Sequence, residues 1–463
     1  MPNKLVREAL REYVVETHPP VYFVDLTVEN FRCFGPRQTL RLADDNGIPY
    51  QWTVLVGENG VGKTTLLQLL ALMIPVARRA INTDQIVPAP LLYSKILDGD
   101  WAFNPRDASA KTDAHCSVRV GSRLNRIATG EAEANFGVEY NTDSSGSPVR
   151  LGATGLSEQS LGKDVFGLIC YGYGPYRQMA IPALNVLPDQ HGIDSLFSND
   201  KPLTDPENWL LQVDYSDKRH GLSGEKSSFG RVVRLLTRLL PDIASVSVSD
   251  SATRSNASII AETAFGRRNL RELSLGYQST IALVIDMASR LYEQYPYSDN
   301  PLLEPAIVLI DEVDLHLHPK WQRQFFDTVG KAFENTQFVV TTHSPLVVQS
   351  TPDANLVLLR QEGDHVVIDG EAKSMRNWRV DQILTSDLFD LPTARPPQLD
   401  KAIAERNKIL SKSTLSAKDR QQLKQLDTEI GPLPGGQTLA DAQAMDIIRE
   451  AADLIRATQG TSK

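Results

Sequence analysis

Trp52-Thr53-Val54-Leu55-Val56 runs without a break into Gly57-Glu58-Asn59-Gly60-Val61-Gly62-Lys63-Thr64-Thr65, and the reading of the whole chain turns on this stretch. Its first five residues form a short apolar run of the kind that makes a buried strand. The remainder fits GxxxxGK[ST]. Leu66 to Ile74 then carries apolar residues on nearly every helical face, which predicts a buried helix. In a strand, glycine-rich turn and helix of this kind, backbone N–H groups curl toward phosphates. Gly57, Asn59, Gly60 and Gly62 shape the turn. Lys63 is placed to neutralise β- and γ-phosphates and the Thr64 hydroxyl to hold Mg²⁺, with Thr65 beside them as a further nucleotide-binding candidate. The positive end of the helix favours the same anion.

Working outward, three later segments take meaning from that turn. Ala306 to Ile310 is a continuous apolar strand, and Asp311-Glu312 emerges at its carboxyl end, where ligands of open α/β sheets sit. Asp311 is the expected Mg²⁺ partner and Glu312 the residue that polarises an attacking water. Leu273-Ser274-Leu275-Gly276-Tyr277-Gln278 opens a helix expected over Arg271 to Tyr295. By itself it reads as a helix cap, with Ser274 as N-cap and Gly276 letting the backbone approach a phosphate. Thr341-Thr342-His343-Ser344-Pro345 closes the strand Gln337 to Thr341, and a histidine at that edge can hydrogen-bond a γ-phosphate.

Taken in order, VENFRCFG, GENGVGKTT, LSLGYQS, LIDEVDLHLHP and TTHSP resemble the ABC/SMC-type P-loop ATPases. The resemblance is to the compact branch that includes RecF, the OLD-type ATPases and the ATPase subunits of anti-phage systems such as Septu and retrons. The run Trp378 to Leu391 is similar to the last group as well. The resemblance implies an ATPase that closes as a homodimer, or a larger oligomer, with ATP and Mg²⁺ at the interface. Lys63, Thr64, Asp311, Glu312 and His343 of one copy would act with Ser274 and Gly276 of the other. Asp314 would be the D-loop residue communicating across that interface. Gln178 is the candidate Q-loop glutamine, and Arg177 beside it could equally face a phosphate. The implied role is regulation of a separately encoded effector nuclease, of HNH or TOPRIM type, in defence against phage. Two other readings stay open, a RecF-like DNA-end clamp and an ATP-bound scaffold that sequesters a toxin-like partner.

The expected fold class is α/β: an ABC-type head with a mixed sheet flanked by helices, an inserted irregular lobe and a helical C-terminal extension. The expected divisions are 1–80 for the first part of the head, 81–240 for the lobe and a helical subdomain, 241–370 for the second part, and 371–463 for the extension. Within the extension, Leu399 to Ile430 reads as an antiparallel helical pair or a single arm. The chain has 48 Lys plus Arg against 57 Asp plus Glu, a balance that disfavours a dominant basic groove while leaving a local nucleic-acid patch open. Arg231, Arg234 and Arg238 recur at helical spacing and read as a solvated face.

Three scattered cysteines give neither a zinc module nor a disulfide framework. No apolar run reaches the ~18 residues of a membrane helix, so a cytoplasmic protein is expected. His316 and His318 invite a metal reading, but in an extended loop residues two apart point to opposite sides. Pro319 more simply opens a helix. After Pro345 there is no DxD, so no TOPRIM nuclease is expected within the chain.

Overall fold

The computed structural model describes residues 20–79, 86–92, 114–121, 134–142, 148–154, 168–180, 192–249, 257–370, 378–386, 388–389, 391, 396–412 and 416–430. Residues 1–19 and several stretches of the inserted lobe expected over 81–240 lie outside the described residues. None of the described helices is long and apolar enough to cross a membrane.

The chain begins with β1 (Tyr22–Glu29), β2 (Gln38–Arg41) and β3 (Trp52–Gly57), and α1 (Lys63–Leu72) follows the glycine-rich turn. β4 (Pro75–Arg79) and β5 (Ile86–Pro90) pair as a hairpin. β6 (Ala114–Gly121), β7 (Ala134–Thr142) and β8 (Pro148–Thr154) form a meander that docks on β1, completing an antiparallel sheet in the order β2-β1-β6-β7-β8. Next come β9 (Cys170–Tyr173), α2 (Pro206–Arg219), α3 (Ser228–Leu239) and a three-stranded sheet of β10 (Ile243–Val248), β11 (Ile259–Thr263) and β12 (Gly266–Asn269). Then follow α4 (Leu275–Gln294), β13 (Ala306–Ile310), α5 (Pro319–Ala332), β14 (Thr336–Thr342), α6 (Pro345–Ser350), β15 (Asn355–Glu362), β16 (His365–Asp369) and α7 (Val380–Leu384).

The central sheet runs β16-β15-β3-β14-β13-β9, parallel except for the edge strand β16. Its strand β15 ends in exposed polar residues and the edge strand β16 is mostly half-buried, whereas the inner strands β3, β14 and β13 are buried along their whole length because both faces are covered. Alternation divides their side chains between two cores. Val54, Val56, Val308, Ile310 and Phe338 pack with residues of α3, α4 and α5, among them Leu236, Ile281 and Phe325. Leu55, Ile307, Leu309 and Val339 face the other way and pack with α1 and the β1–β6 sheet, through Leu66, Leu70, Leu26 and Val118. On the first face Trp52 stacks on Phe338 with ring centroids 4.1 Å apart and meets Phe326 edge-on.

Local chemistry sets where the helices begin. α2, α5 and α6 each carry proline at the start, where no N–H partner is lost. Asp205, His318 and Ser344 accept from a backbone N–H just inside these helices. α4 starts at Leu275 rather than Arg271. Leu270 to Glu272 instead form a separate 3-10 turn closed by a reciprocal Asn269–Glu272 capping box, which ends the first helical run before Ser274.

Residues Leu391–Lys463 form a unit of their own. In it α8 (Pro397–Leu410) and α9 (Ala417–Ile430) lie antiparallel and bury Ala402, Ile409 and Leu426 between them, so the expected pair is observed rather than an extended arm. Arg406 Nε donates to Asp427 at 2.6 Å across the pair.

Candidate nucleotide site

Register assembles the site. Thr342 pairs with Val56 on one side of β14, and Val340 pairs with Ile310 on the other. The carboxyl ends of β3, β14 and β13 therefore meet, bringing the glycine-rich turn, Thr341 to His343 and Asp311-Glu312 together. Gly62 sits at φ +86°, and a Cβ there would lie 2.5 Å from Cys33 Sγ and 2.9 Å from the Phe34 ring, so only glycine fits. The Cys33–Phe34 turn between β1 and β2 thus buttresses the loop. Arg32, in the same turn, donates weakly to Thr65 Oγ1 (3.4 Å) and Gln68 (3.3 Å) on α1.

Lys63 is buried, and its ammonium donates to the carbonyls of Gly57 (2.8 Å) and Glu58 (2.7 Å) inside the loop. Burial lowers its pKa, against the pull of Asp311, Glu312 and Asp314. Thr64 Oγ1 donates to Asp311 Oδ2 at 2.7 Å, and Thr341 Oγ1 donates to Asp311 Oδ1 at 2.6 Å. Thr64 and Asp311 thus present adjacent hard oxygen atoms, the donor set magnesium takes. Glu312 has the left-handed φ of +48°, and its N–H donates to Thr341 Oγ1 at 2.7 Å.

Beyond Glu312 the chain turns rather than extending through His316, itself at φ +66°. The geometry offered against an HxH metal site is therefore not the one present; His318 instead caps α5, its Nδ1 accepting from Lys320 N at 3.2 Å. Asp314 Oδ1 accepts from Thr342 Oγ1 and, at 3.4 Å, from His343 N. His343 is exposed. Partial burial and then the Lys63 ammonium hold its imidazole pKa below the ordinary value, outweighing the three carboxylates nearby.

The LSLGYQ segment opens α4 with Ser274 at the expected N-cap position, but the Ser274 side chain makes no capping bond. Gly276 is dictated by packing within the chain, because a Cβ would lie 2.5 Å from His316 O in the turn after Glu312. Gln178 is exposed, and no hydrogen bond among the described residues ties its side chain to the glycine-rich loop or the acidic strand end. Arg177 does not face a phosphate position. Its guanidinium is buried against the backbone carbonyls of Gly174, Asp311 and Glu312, which take its N–H donors.

Two further residues join the site: Thr341, which the sequence places in the TTHSP stretch without a role of its own, and Gln322, which the sequence does not mark. Thr341 orients both acidic residues. Gln322 on α5 donates to Leu317 O (3.0 Å) and Asp314 O (3.4 Å) while accepting from Ser344 Oγ (2.7 Å), linking the Asp314 turn to the His343 loop. Thr341 had a visible signal, its place at the strand end. Gln322 had none, being one amide on a helix.

Among family models, one described as "AAA domain, putative AbiEii toxin, Type IV TA system" matches residues 189–349. The chain is 26% identical over 388 residues to the Septu protein PtuA of Bacillus mycoides (strain KBAB4), covering 82% of this chain and 46% of that protein. It is 35% identical over 154 residues to the Retron Ec83 probable ATPase of Escherichia coli, covering 33% of this chain and 27% of that one. The chain thus spans less than half the length of either relative. Among solved structures, the SMC head domain from Thermotoga maritima is 15% identical, with a TM-score of 0.37, over 76% of this chain and 98% of that one. With its phosphate loop, acidic strand end and histidine edge on a central, mostly parallel sheet, the chain resembles the ABC/SMC-type P-loop ATPases and is similar in sequence to the Septu and retron proteins.

Proposed function

We propose that the chain binds ATP with magnesium at Lys63, Thr64 and Asp311 and hydrolyses it through Glu312 and His343. In this reading two copies close around the nucleotides, each adding Ser274 and Gly276 to the other's site, and the cycle regulates a separately encoded effector nuclease in bacterial defence against phage. The observation that carries it is the 2.7 Å bond between Thr64 and Asp311, residues far apart in sequence that belong to the two motifs a Mg-nucleotide site requires. The Septu and retron relatives support the defence setting by their names.

Lys63 would exchange its loop carbonyls for phosphate oxygens, which a flexible ammonium with three donors does readily. Magnesium, when bound at Thr64 and Asp311, supplies positive charge against the phosphates. Glu312, its peptide held by Thr341, takes the proton of the attacking water. His343, held neutral, keeps an N–H to donate to a phosphate oxygen while its second ring nitrogen carries no charge.

Glu312→Gln tests the enzymatic part. Turnover falls by ~10²–10⁴ while ATP stays bound, and light scattering registers an accumulated dimer. Hydrolysis at the parental rate would remove Glu312 from this role. For the defence part, Lys63→Ala in the complete gene cluster abolishes protection in plaque counts, and undiminished protection would overturn it.

A further inference from the structure

Arg177 is 3% exposed, and among the described residues its hydrogen bonds go to backbone carbonyls alone. Burying a guanidinium without a bonded carboxylate is costly, and an apolar side chain of similar volume would fill the space at less cost. The arrangement therefore calls for a reason beyond packing. Asp311, Glu312 and Asp314 supply compensating charge at longer range, so the group stays protonated although burial lowers its pKa to about 10.

The guanidinium's bonds fall on one structural feature. Nη2 donates to Asp311 O at 2.8 Å and also to Glu312 O, while Nε donates to Gly174 O at 3.1 Å. Glu312 holds a left-handed φ, which a side chain other than glycine adopts only when its surroundings impose it. Thr341 pins the N–H side of that residue and Arg177 the carbonyl side. Arg177 also reaches the other motif. Its own carbonyl accepts from Ser279 Oγ at 3.2 Å, on the second turn of α4. Close by, Arg271 Nη2 donates to Ala180 O at 2.6 Å just ahead of that helix. Residues 177–180 are thereby tied to the segment bearing Ser274 and Gly276, while the side chain of Arg177 holds the segment bearing Glu312.

We infer that Arg177 is a positioning residue that fixes the Glu312 backbone and couples it to the signature helix α4, so that a shift of α4 when a second copy engages reaches the Glu312 carboxylate through residue 177. The inference rests on the ATPase reading above for its consequence in rate, and on backbone geometry alone for the clamp.

The test uses the full chain with Arg177→Met, which removes the donors, and Arg177→Lys, which keeps a charge but lacks the planar fork that reaches Gly174 O together with Asp311 O and Glu312 O. Both lower kcat by ~30- to 100-fold with KM for ATP changed less than about threefold, the pattern of a displaced catalytic group. In both, amide exchange of residues 311–315, followed by mass spectrometry without nucleotide, rises by about tenfold or more relative to the rest of β13 and β14. Methylguanidinium added to Arg177→Ala restores part of the rate and part of the protection. Parental kcat and parental exchange in Arg177→Met would overturn the clamp. A parental chain that hydrolyses no ATP would overturn the ATPase reading, while exchange would still decide the clamp. If the Arg177 variants do not fold, Ser279→Ala decides the coupling. It lowers kcat by about three- to tenfold at unchanged KM, and a parental rate there would overturn the link to α4.

Discussion

Thr341 engages both acidic residues with one hydroxyl, donating to Asp311 and accepting from the Glu312 N–H. Thr341→Val keeps the shape and removes both bonds, leaving a buried N–H without its acceptor. Urea unfolding should register a loss of about 1–3 kcal/mol, and turnover should fall with it. A second test at this scale concerns His343. Burial and Lys63 lower its pKa, so its folded midpoint lies below that of the unfolded chain. The unfolded state then binds more protons in that window, and the stability contribution is complete above the unfolded value and lost as pH falls through the folded one. Nuclear magnetic resonance of the His343 ring should give a midpoint below that of an ordinary solvent-exposed histidine, moving upward in Lys63→Met, where the lowering charge is gone. A midpoint unmoved by that change would show that Lys63 does not act on the ring.

At the scale of elements, α4 is held by a buried carboxylate. Asp286 is 1% exposed and accepts from the Tyr173 hydroxyl (2.9 Å), Thr204 N (2.8 Å), Thr204 Oγ1 (2.6 Å) and Arg290 Nε. It ties α4 to the end of β9 and to the approach to α2. Asp286→Ala should cost ~3–5 kcal/mol in denaturant unfolding, because Arg290 and Tyr173 lose their shared acceptor. Asp286→Asn, which keeps one of the two acceptor oxygens, should cost less, and equal losses would show that the one retained acceptor contributes nothing. Most elements were legible in the sequence because hydrophobic period and proline positions are local signals. β3, α1, β13 and α5 could be placed from them alone. The pairing of β6 with β1 could not, since it joins residues about ninety positions apart and nothing local encodes the choice. The start of α4 was misjudged for the opposite reason. Its apolar pattern continues through Leu270 and Leu273, while side-chain capping at Asn269 and Glu272 breaks the backbone run.

Across the whole molecule, the Thr64–Asp311 bond unites motifs that the sequence could order but not bring into contact, whereas the joint at Arg177 and Gln322 arises from tertiary packing alone. The same fold leaves Ser274 and Leu275 outward. Leu275 is 55% exposed at the start of α4, Ser274 beside it makes no side-chain capping bond, and Gly276 packs on the turn that follows Glu312. An apolar residue and an uncommitted hydroxyl at a helix N-terminus suit a surface completed by an anion brought by another copy. If sites are shared in this way, Lys63→Ala and Ser274→Arg should each be inactive alone. Mixed in equal amounts with free exchange of subunits, about half the dimers are mixed. Each mixed dimer holds one intact site, with Lys63 from the second variant and Ser274 from the first, so about a quarter of the parental ATPase rate returns. The rate should rise with the time allowed for exchange and vanish when the copies are cross-linked before mixing. A mixture as silent as its components, after exchange has been verified with labelled chains, would mean that Ser274 serves its own copy's nucleotide or none.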